Sequence, residues 1–242
     1  MKLNESFALL AGLAVLGLAV PTTPTVSAED GIAVAIIYDT SGSMKQSVPD
    51  SNGRQTPKHV IARRAMESVV KRLQAFATNT TDGTTRKMEV GVFVFENNGA
   101  KEFIKLASFD PQQASTWAQR MPGPSTGTPL GTTLQKASEA VLNSKMSRKH
   151  VLVITDGVNT VGPEPANVLP RIKEQAARKQ AAVSAHFVAF DIDAKLFDPL
   201  KKQGVTVVGA ANEAQLNSQL GFILEKKILL EDEEPAPKPK SN

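Results

Sequence analysis

The sequence predicts a doubly wound α/β domain, with a mostly parallel central sheet, one antiparallel edge strand and helices on both faces. Short runs rich in Val, Ile and Phe are nearly continuous in apolarity, as strands buried on both faces must be. Amphipathic helical patterns separate these runs. One hairpin signal interrupts the alternation. Strands that alternate with helices along a chain are typical of this fold class.

Five apolar runs predict the core strands. The first is "IAVAIIYD", and the others are equally poor in charge within their centres; they cover residues 32–39, 88–95, 150–155, 183–190 and 205–210. A sixth segment, "KEFIKLASF" (101–109), alternates between polar and apolar residues and follows the turn-forming "ENNGA". It therefore reads as an antiparallel edge strand joined by a hairpin.

Four stretches carry apolar residues at helical spacing with charged residues on the other faces. They run from Lys58 to Ala77, from Pro129 to Asn143, from Val168 to Gln180, and from Glu213 to about Leu230. Each lies between two predicted strands or after the last one. These helices would cover the two faces of the sheet.

The two ends of the chain differ from its middle. Lys2 precedes an apolar stretch at 7–20, and small residues suit cleavage after Ala28, which is the layout of a secretory signal peptide. We expect a signal peptide at 1–28, one folded domain at 29–230, and a disordered, proline-rich and charged tail at 231–242. The protein would then be periplasmic or secreted, without a membrane span once cleaved; an uncleaved N-terminal membrane anchor is the alternative.

Composition excludes some function classes. The chain has 242 residues and a formal net charge of +4, and its basic residues form no long run, so nucleic-acid binding is not expected. Cysteine is absent, so a metal would be bound through oxygen or histidine. The three histidines, His59, His150 and His186, share no ligand spacing.

Acidic and hydroxyl residues follow two predicted strands. Asp39 ends the first strand in "YDTSGSM", and Asp156 ends the strand at 150–155 in "TDGVNT". Ligands of doubly wound sheets bind at the carboxyl ends of strands where the strand order reverses. If these two strands are neighbours at that point, the two carboxylates converge on one crevice.

Two uncompensated carboxylates in one crevice repel, so that one takes up a proton or both gather a cation. Their neighbours are Ser41, Ser43 and the threonines of "PSTGTPLGTTL" (124–134). Oxygen-only ligation suits Mg²⁺, with Mn²⁺ or Ca²⁺ as alternatives, and fits zinc poorly. The same residue types also serve as turn and helix caps, so each segment alone leaves both interpretations open.

Three motifs together resemble the metal-ion-dependent adhesion site (MIDAS) of von Willebrand factor type A domains, the fold shared with integrin I domains. The D-x-S-x-S motif corresponds to Asp39, Ser41 and Ser43. The loop threonine after glycine corresponds to Thr128, and the strand-closing aspartate before glycine corresponds to Asp156. Their order and their places at strand and helix ends also match. The resemblance spans roughly residues 31–230 and is greatest to bacterial members.

The resemblance implies a divalent-cation-dependent protein-binding module and not an enzyme. Asp39 would act through its charge, partly through water, while Ser41 and Ser43 would coordinate directly. Thr128 and Asp156 would alternate between direct and water-mediated contact. The metal, Mg²⁺ by preference, would bridge to an Asp or Glu carboxylate of a partner protein.

Two other functions stay open. One is a metal-dependent hydrolase or phosphatase that uses the same crevice, although a haloacid-type phosphatase would want D-x-D where this chain has D-x-S. No residue is evidently placed to activate a serine nucleophile. The other is a structural subunit of an envelope complex with a vestigial metal site.

Several further features have structural and functional interpretations. The insertion "KQSVPDSNGRQTP" (45–57) contains a turn signal at its tip and is expected to lie above the metal, where it would shape which partner is admitted or be a tolerated surface loop. The "FDID" segment (190–193) reads as a turn with a helix cap, with Asp191 near the site. Trp117 reads as a packing residue. "NTT" (79–81) matches a glycosylation acceptor.

Overall fold

In the computed structural model, which describes residues 28–78, 86–125 and 127–230, a sheet of six strands lies between two layers of helices. The strands of the described residues, including a separate pair, are β1 (Glu29–Tyr38), β2 (Ser47–Pro49), β3 (Gln55–Pro57), β4 (Met88–Glu96), β5 (Gly99–Ser108), β6 (Met146–Thr155), β7 (Ser184–Phe190) and β8 (Thr206–Ala210). The order across the large sheet is β5-β4-β1-β6-β7-β8. Only the β4–β5 pairing is antiparallel within it. The predicted fold class is confirmed.

Helices connect and cover these strands. Their bounds are α1 (Lys58–Thr78), α2 (Pro111–Ala114), α3 (Trp117–Arg120), α4 (Leu130–Asn143), α5 (Pro165–Arg178), α6 (Asp198–Lys201) and α7 (Glu213–Ile223), with 3₁₀ turns at Gly42–Lys45 and Ala194–Phe197 and a π-helical stretch at Leu224–Leu229. The predicted strands and the four predicted long helices are all present. The third of these long helices is α5, which was predicted from Val168. It begins earlier, at Pro165, because proline suits the first helical turn.

The side chains of β1 alternate between two separate cores. Ile36 and Tyr38 face the core that contains α1 and α7, while Ala35 and Ile37 face the core that contains α4 and α5. All four are at most 2% exposed. This two-sided burial explains why the strand has a continuous apolar sequence instead of an alternating one.

The order in which the strands are added to the sheet reverses at β1. The chain passes from β1 to β4 and β5 on one side and then returns to β6 on the other. Tyr38 pairs with Val94 of β4 on one side and with Ile154 of β6 on the other. The carboxyl ends of β1 and β6 are therefore adjacent, which meets the condition for the two carboxylates to converge. Asp39 and Asp156 follow these two ends directly.

The insertion at 45–57 forms an antiparallel hairpin of β2 and β3, with its tip at 50–53. The Asp50 carboxylate closes the tip by accepting hydrogen bonds from the backbone N–H groups of Asn52 (2.8 Å) and Arg54 (3.0 Å). Gly53 adopts a φ of 75°, which glycine tolerates best. Val48 is 4% exposed and packs into the α1–α7 core. The insertion is thus a packed element and not a free loop.

Some of the remaining predictions fall on residues that the structure describes, and others do not. Trp117 is buried and meets Phe109 edge-to-face at 5.8 Å between ring centroids, as a packing residue does. Asp193 caps the following 3₁₀ turn by accepting a hydrogen bond from the Lys195 N–H. The predicted tail at 231–242, the glycosylation acceptor at 79–81 and all but the last residue of the signal peptide predicted at 1–28 lie outside the described residues. Within the described ranges, no helix has the length and apolar character of a membrane span.

Candidate metal centre

Asp39 lies where the crevice is predicted, directly after β1 and beside the carboxyl end of β6. Its side chain is fully buried, and both carboxylate oxygens accept hydrogen bonds. Oδ1 accepts from the Ser41 backbone N–H at 2.7 Å, and Oδ2 accepts from the Thr155 hydroxyl at 2.6 Å. The two bonds hold the carboxylate in one orientation, so that its place in the crevice is set before any ligand arrives.

Burial, and after it the nearby charge of Asp156, raises the pKa of the Asp39 carboxyl to about 6. The hydrogen bonds from Ser41 and Thr155 act against this rise. The raised pKa therefore reflects two like charges enclosed together, which the protein's positive charge near Asp39 does not offset. A divalent cation in the crevice would relieve this repulsion.

Two serine hydroxyls connect the end of β1 to the end of β6. The oxygens of Ser41 and Ser43 lie 2.9 Å apart, and the Ser43 hydroxyl donates to Asp156 Oδ1 at 2.7 Å. Ser41 and Asp156 are buried, whereas Ser43 is half-buried. The D-x-S-x-S motif and the second aspartate are therefore brought together across 113 residues of chain.

Thr128 is held beside this cluster by the loop that follows β6. Its backbone N–H donates to the Thr160 hydroxyl at 2.8 Å, and its carbonyl accepts from the Thr160 N–H at 3.0 Å. A Cβ atom on Gly157 would lie 3.6 Å from the Thr128 hydroxyl oxygen and 3.8 Å from that of Ser43. The Gly157 position thus lies next to both hydroxyls, within ordinary van der Waals distance of each.

The five predicted residues offer two carboxylates and three hydroxyls at the ends of β1 and β6 and before α4. In the described part of the chain, no group of three or more His, Cys, Asp or Glu comes together, so a metal centre here depends on the hydroxyl oxygens. Such an oxygen-only donor set fits a hard divalent ion such as Mg²⁺.

Lys58 is a member of the site that the sequence analysis missed. Its side chain is 3% exposed, and its ammonium lies 3.0 Å from Asp156 Oδ2 and 2.9 Å from Asp191 Oδ2. It also donates to Gln46 Oε1 at 3.1 Å. Asp191 is thus near the site, as expected, but it is linked to it through Lys58. A single lysine at a helix start carries no local signal of such a role.

Burial tends to lower the pKa of Lys58, but the hydrogen bonds to Asp191 and Asp156 outweigh it and raise the pKa above its usual value. The ammonium is therefore charged at neutral pH. The site accordingly contains a permanent cation of the protein's own next to Asp156, on the side away from Ser43.

The sequence of this chain matches one known protein family. A family model described as "von Willebrand factor type A domain" matches residues 33–223. A comparison with curated protein sequences finds no match. Because the family model covers well over half of the chain, it shows the family and not only the fold.

Solved structures share the fold at low sequence identity. A D319A mutant of the PilB minor pilin from Streptococcus sanguinis superposes with a TM-score of 0.59 at 16% identity, covering 81% of this chain and 61% of that chain. Proximal thread matrix protein 1 from the mussel byssus, solved with a zinc-occupied MIDAS motif, gives a TM-score of 0.58 at 16% identity, with 82% and 48% covered. The vWF domain of the type V pili tip protein Mfa5 from Porphyromonas gingivalis gives 0.57 at 13% identity, with 80% and 94% covered.

The chain spans about three fifths of the pilin chain and about half of the byssus protein chain. At these identities the likeness is one of fold. The zinc ion and the biological roles are therefore stated of those proteins alone and not of this chain.

Proposed function

Because the chain belongs to the von Willebrand factor type A family, we propose that it is an exported protein-binding module that holds a partner through a divalent cation. The residues that would bind the cation are Asp39, Ser41, Ser43, Thr128 and Asp156. Mg²⁺ is the proposed ion, and Mn²⁺ or Ca²⁺ would suit the same donors. The partner would present an Asp or Glu carboxylate. Export rests on the signal-like N-terminus alone.

The observation that carries this proposal is the contact between the two ends of the site. Ser43 donates to Asp156 at 2.7 Å, while Asp39 is fully buried beside them and fixed by two hydrogen bonds. This pre-organisation lowers the cost of assembling the donors around an ion. The zinc-occupied MIDAS motif of the mussel protein supports divalent-ion binding in this fold.

The chain's own residues would bind and orient the ion and would leave one side of it open. When bound, the ion would supply a Lewis-acidic position that accepts a carboxylate oxygen. Asp39 and Asp156 supply the negative charge, and the hydroxyls of Ser41, Ser43 and Thr128 supply neutral oxygens. A set with few carboxylates leaves the ion electropositive enough to attract an acidic partner.

Direct titration with MgCl₂ in a calorimeter tests metal binding. We expect one site in the wild type and a loss of affinity of at least about tenfold in Ser43→Ala. Ser47→Ala removes an exposed hydroxyl four residues further along the chain and serves as the matched control, with unchanged affinity. Equal Mg²⁺ affinity in wild type and Ser43→Ala would contradict the proposed site.

Partner binding is tested separately by affinity capture from an envelope extract in Mg²⁺ and in EDTA. The expected partner is recovered by the wild type in Mg²⁺ and lost both in EDTA and with Asp39→Ala. Partners that bind regardless of both changes would contradict a metal bridge. Turnover of generic phosphate esters by the wild type, but not by Asp39→Ala, would favour the hydrolase instead.

We further propose that the hairpin at 45–57 shapes which partner is admitted. It rises at the carboxyl ends of the strands, where loops commonly carry specificity. Shortening its tip at 51–53 should change the set of captured proteins and leave Mg²⁺ affinity within about twofold. The deletion must spare Gln46, because that residue contacts Lys58. An unchanged set of partners would mark the hairpin as a purely structural insertion.

A further inference from the structure

Lys58 is a buried cation whose hydrogen-bonding capacity is fully used. An ammonium has three N–H donors, and here they face Asp156 Oδ2, Asp191 Oδ2 and Gln46 Oε1. The three distances lie between 2.9 and 3.1 Å. Lysine is rarely buried unless it is paired, and this one is paired with a carboxylate of the proposed metal site.

Helix stability does not account for this placement. Lys58 is the first residue of α1, and a positive charge at a helix N-terminus opposes the helix dipole. Its backbone N–H donates to the Gln46 carbonyl at 2.8 Å, and its ammonium donates to the side-chain amide oxygen of the same residue. The base of the hairpin therefore holds the lysine from both its backbone and its side chain.

Asp156 divides its two oxygens between different partners. Oδ1 accepts from the Ser43 hydroxyl at 2.7 Å, and Oδ2 accepts from Lys58 at 3.0 Å. One side of the carboxylate thus faces the metal space and the other faces a fixed positive charge. The positive charge of Lys58 therefore offsets part of the attraction that Asp156 exerts on a cation on the other side.

Asp191 competes with Asp156 for the same ammonium. Its carboxylate is 39% exposed, and its backbone φ of 54° turns the chain at the end of β7. Unlike Asp156, it has no contact with Ser41 or Ser43 among the described hydrogen bonds. It therefore adds negative charge to Lys58 without adding a donor to the metal space.

From this arrangement we propose that Lys58 is a built-in counter-ion of Asp156 that weakens divalent-ion binding, and that Asp191 moderates this effect by neutralising part of the lysine charge. The inference rests on the metal-binding function proposed above and deepens it. Its consequence is a cation that is held less tightly and less fully neutralised by the protein. Such a cation attracts a carboxylate from a partner more strongly.

Two substitutions at the same ion pair distinguish this role from a structural one. Lys58→Gln removes the positive charge and keeps an amide donor, and should tighten Mg²⁺ binding by about tenfold or more. Asp191→Asn leaves the ammonium to Asp156 alone and should weaken Mg²⁺ binding by about threefold or more. Lys71→Gln, at an exposed position of the same helix, is the control and should change it less than about twofold.

The measurement is calorimetric titration of each full-length variant with MgCl₂, repeated with MnCl₂, after circular dichroism has shown that the variant is folded. A purely positioning role of the ion pair predicts weaker binding in both variants, so weaker or unchanged binding in Lys58→Gln would overturn the proposal. If Lys58→Gln does not fold, tighter or unchanged binding in the half-exposed Asp191→Asn would still overturn the proposal.

The outcomes also separate this inference from the proposed function. If the wild type and every variant fail to bind Mg²⁺ and Mn²⁺, the metal-binding function fails and the counter-ion role fails with it. If only Lys58→Gln binds, the counter-ion role is supported and the proposed function of the wild type is what fails. If the wild type binds and the two variants shift in opposite directions as stated, both are supported.

Discussion

Two histidines on adjacent strands, His150 and His186, stack in the core with their ring centroids 5.6 Å apart. Burial, and after it the charges of His186 and Arg148, lowers the pKa of His150 to about 3. Burial also lowers the pKa of His186 to about 4, and the charge of Lys227 acts in the same direction. Both imidazoles are therefore neutral in the folded protein at physiological pH.

This pair predicts a loss of stability in mild acid. The folded pKa values lie below the usual value of 6.5, so the unfolded chain binds the protons more readily. The stabilising effect is complete above about pH 6.5 and declines as the pH falls toward about 4. We expect the free energy of unfolding, measured with urea, to fall by about 1–3 kcal/mol between pH 7 and pH 5.5 from this source.

A double variant, His150→Gln with His186→Gln, isolates this contribution because glutamine does not titrate. Its urea unfolding should depend less on pH over the same range, whatever its absolute stability. Parallel pH dependences in the wild type and the double variant would show that the histidine pair does not produce the acid sensitivity.

At the scale of elements, α4 and the loop after β6 approach each other closely at Gly131. A Cβ atom there would lie 1.9 Å from the Pro163 carbonyl oxygen, and the Gly131 N–H donates to Asn159 Oδ1 at 3.1 Å. The same loop holds Thr128 through Thr160. One glycine thus allows the helix start and the site loop to pack together.

Gly131→Ala should therefore destabilise the protein by about 1–3 kcal/mol, since a contact with backbone cannot be relieved by a rotamer change. Urea unfolding measures the effect. Gly209→Ala is the matched control, because its nearest neighbour would be the Ala194 Cβ at an ordinary 3.5 Å. A Gly131→Ala variant as stable as the Gly209→Ala control would show that the loop can yield at little cost.

The hairpin at 45–57 is fastened to the start of α7 by Glu213. The Glu213 carboxylate accepts from the Ser51 N–H at 2.9 Å and from the Ser51 hydroxyl at 3.1 Å, and Arg64 lies 3.4 Å from its other oxygen. Glu213 is 6% exposed. The tip of the hairpin is therefore bound to the α1–α7 layer at the carboxyl end of the sheet.

Glu213→Gln should weaken this attachment and lower the free energy of unfolding by about 1 kcal/mol. Hydrogen exchange at residues 50–54 should accelerate before that of the central strands. Glu225→Gln, which removes a solvent-exposed ion pair with Arg72, is the control and should cost less than about 0.5 kcal/mol. Unaltered exchange at the tip would mean that Val48 and Asp50 suffice to hold the hairpin.

At the scale of the whole molecule, ion binding and folding are linked. The donors of the proposed site come from β1, the start of α4 and β6, which meet only in the folded chain. An ion that binds this state stabilises it by about 2.7 kcal/mol at a hundredfold excess over its Kd. For a domain of this size that is a rise in Tm of about 5–10 °C.

Thermal unfolding in MgCl₂ and in EDTA measures this linkage. We expect the wild-type Tm to rise with Mg²⁺ concentration and to return to its base value in EDTA. Asp39→Ala should show no Mg²⁺-dependent rise, whereas Ser47→Ala should behave as the wild type. A Tm that rises equally in Asp39→Ala would assign the effect to ions bound elsewhere on the surface.

Much of this architecture can be predicted from the sequence. Strands buried on both faces require continuous apolar runs, so 32–39 and 150–155 identify themselves. β6 nevertheless begins at Met146, before the predicted start at 150. Lys149 is buried near the start of this strand, with its ammonium on the Ser144 carbonyl at 2.8 Å. A charged residue cannot be recognised from the sequence as part of a buried strand until its hydrogen-bond partner is known.

The sequence by itself determined the fold class, the order of the elements and the residue types at the ends of β1 and β6, because these follow from local periodicity and from one rule of parallel sheets. Only the tertiary structure decided that Lys58 pairs with Asp156 across 98 residues and with Asp191 beyond it. The same holds for Ser51 and Glu213, which are 162 residues apart. Such contacts depend on how helices and loops dock against each other, and no local pattern encodes that docking.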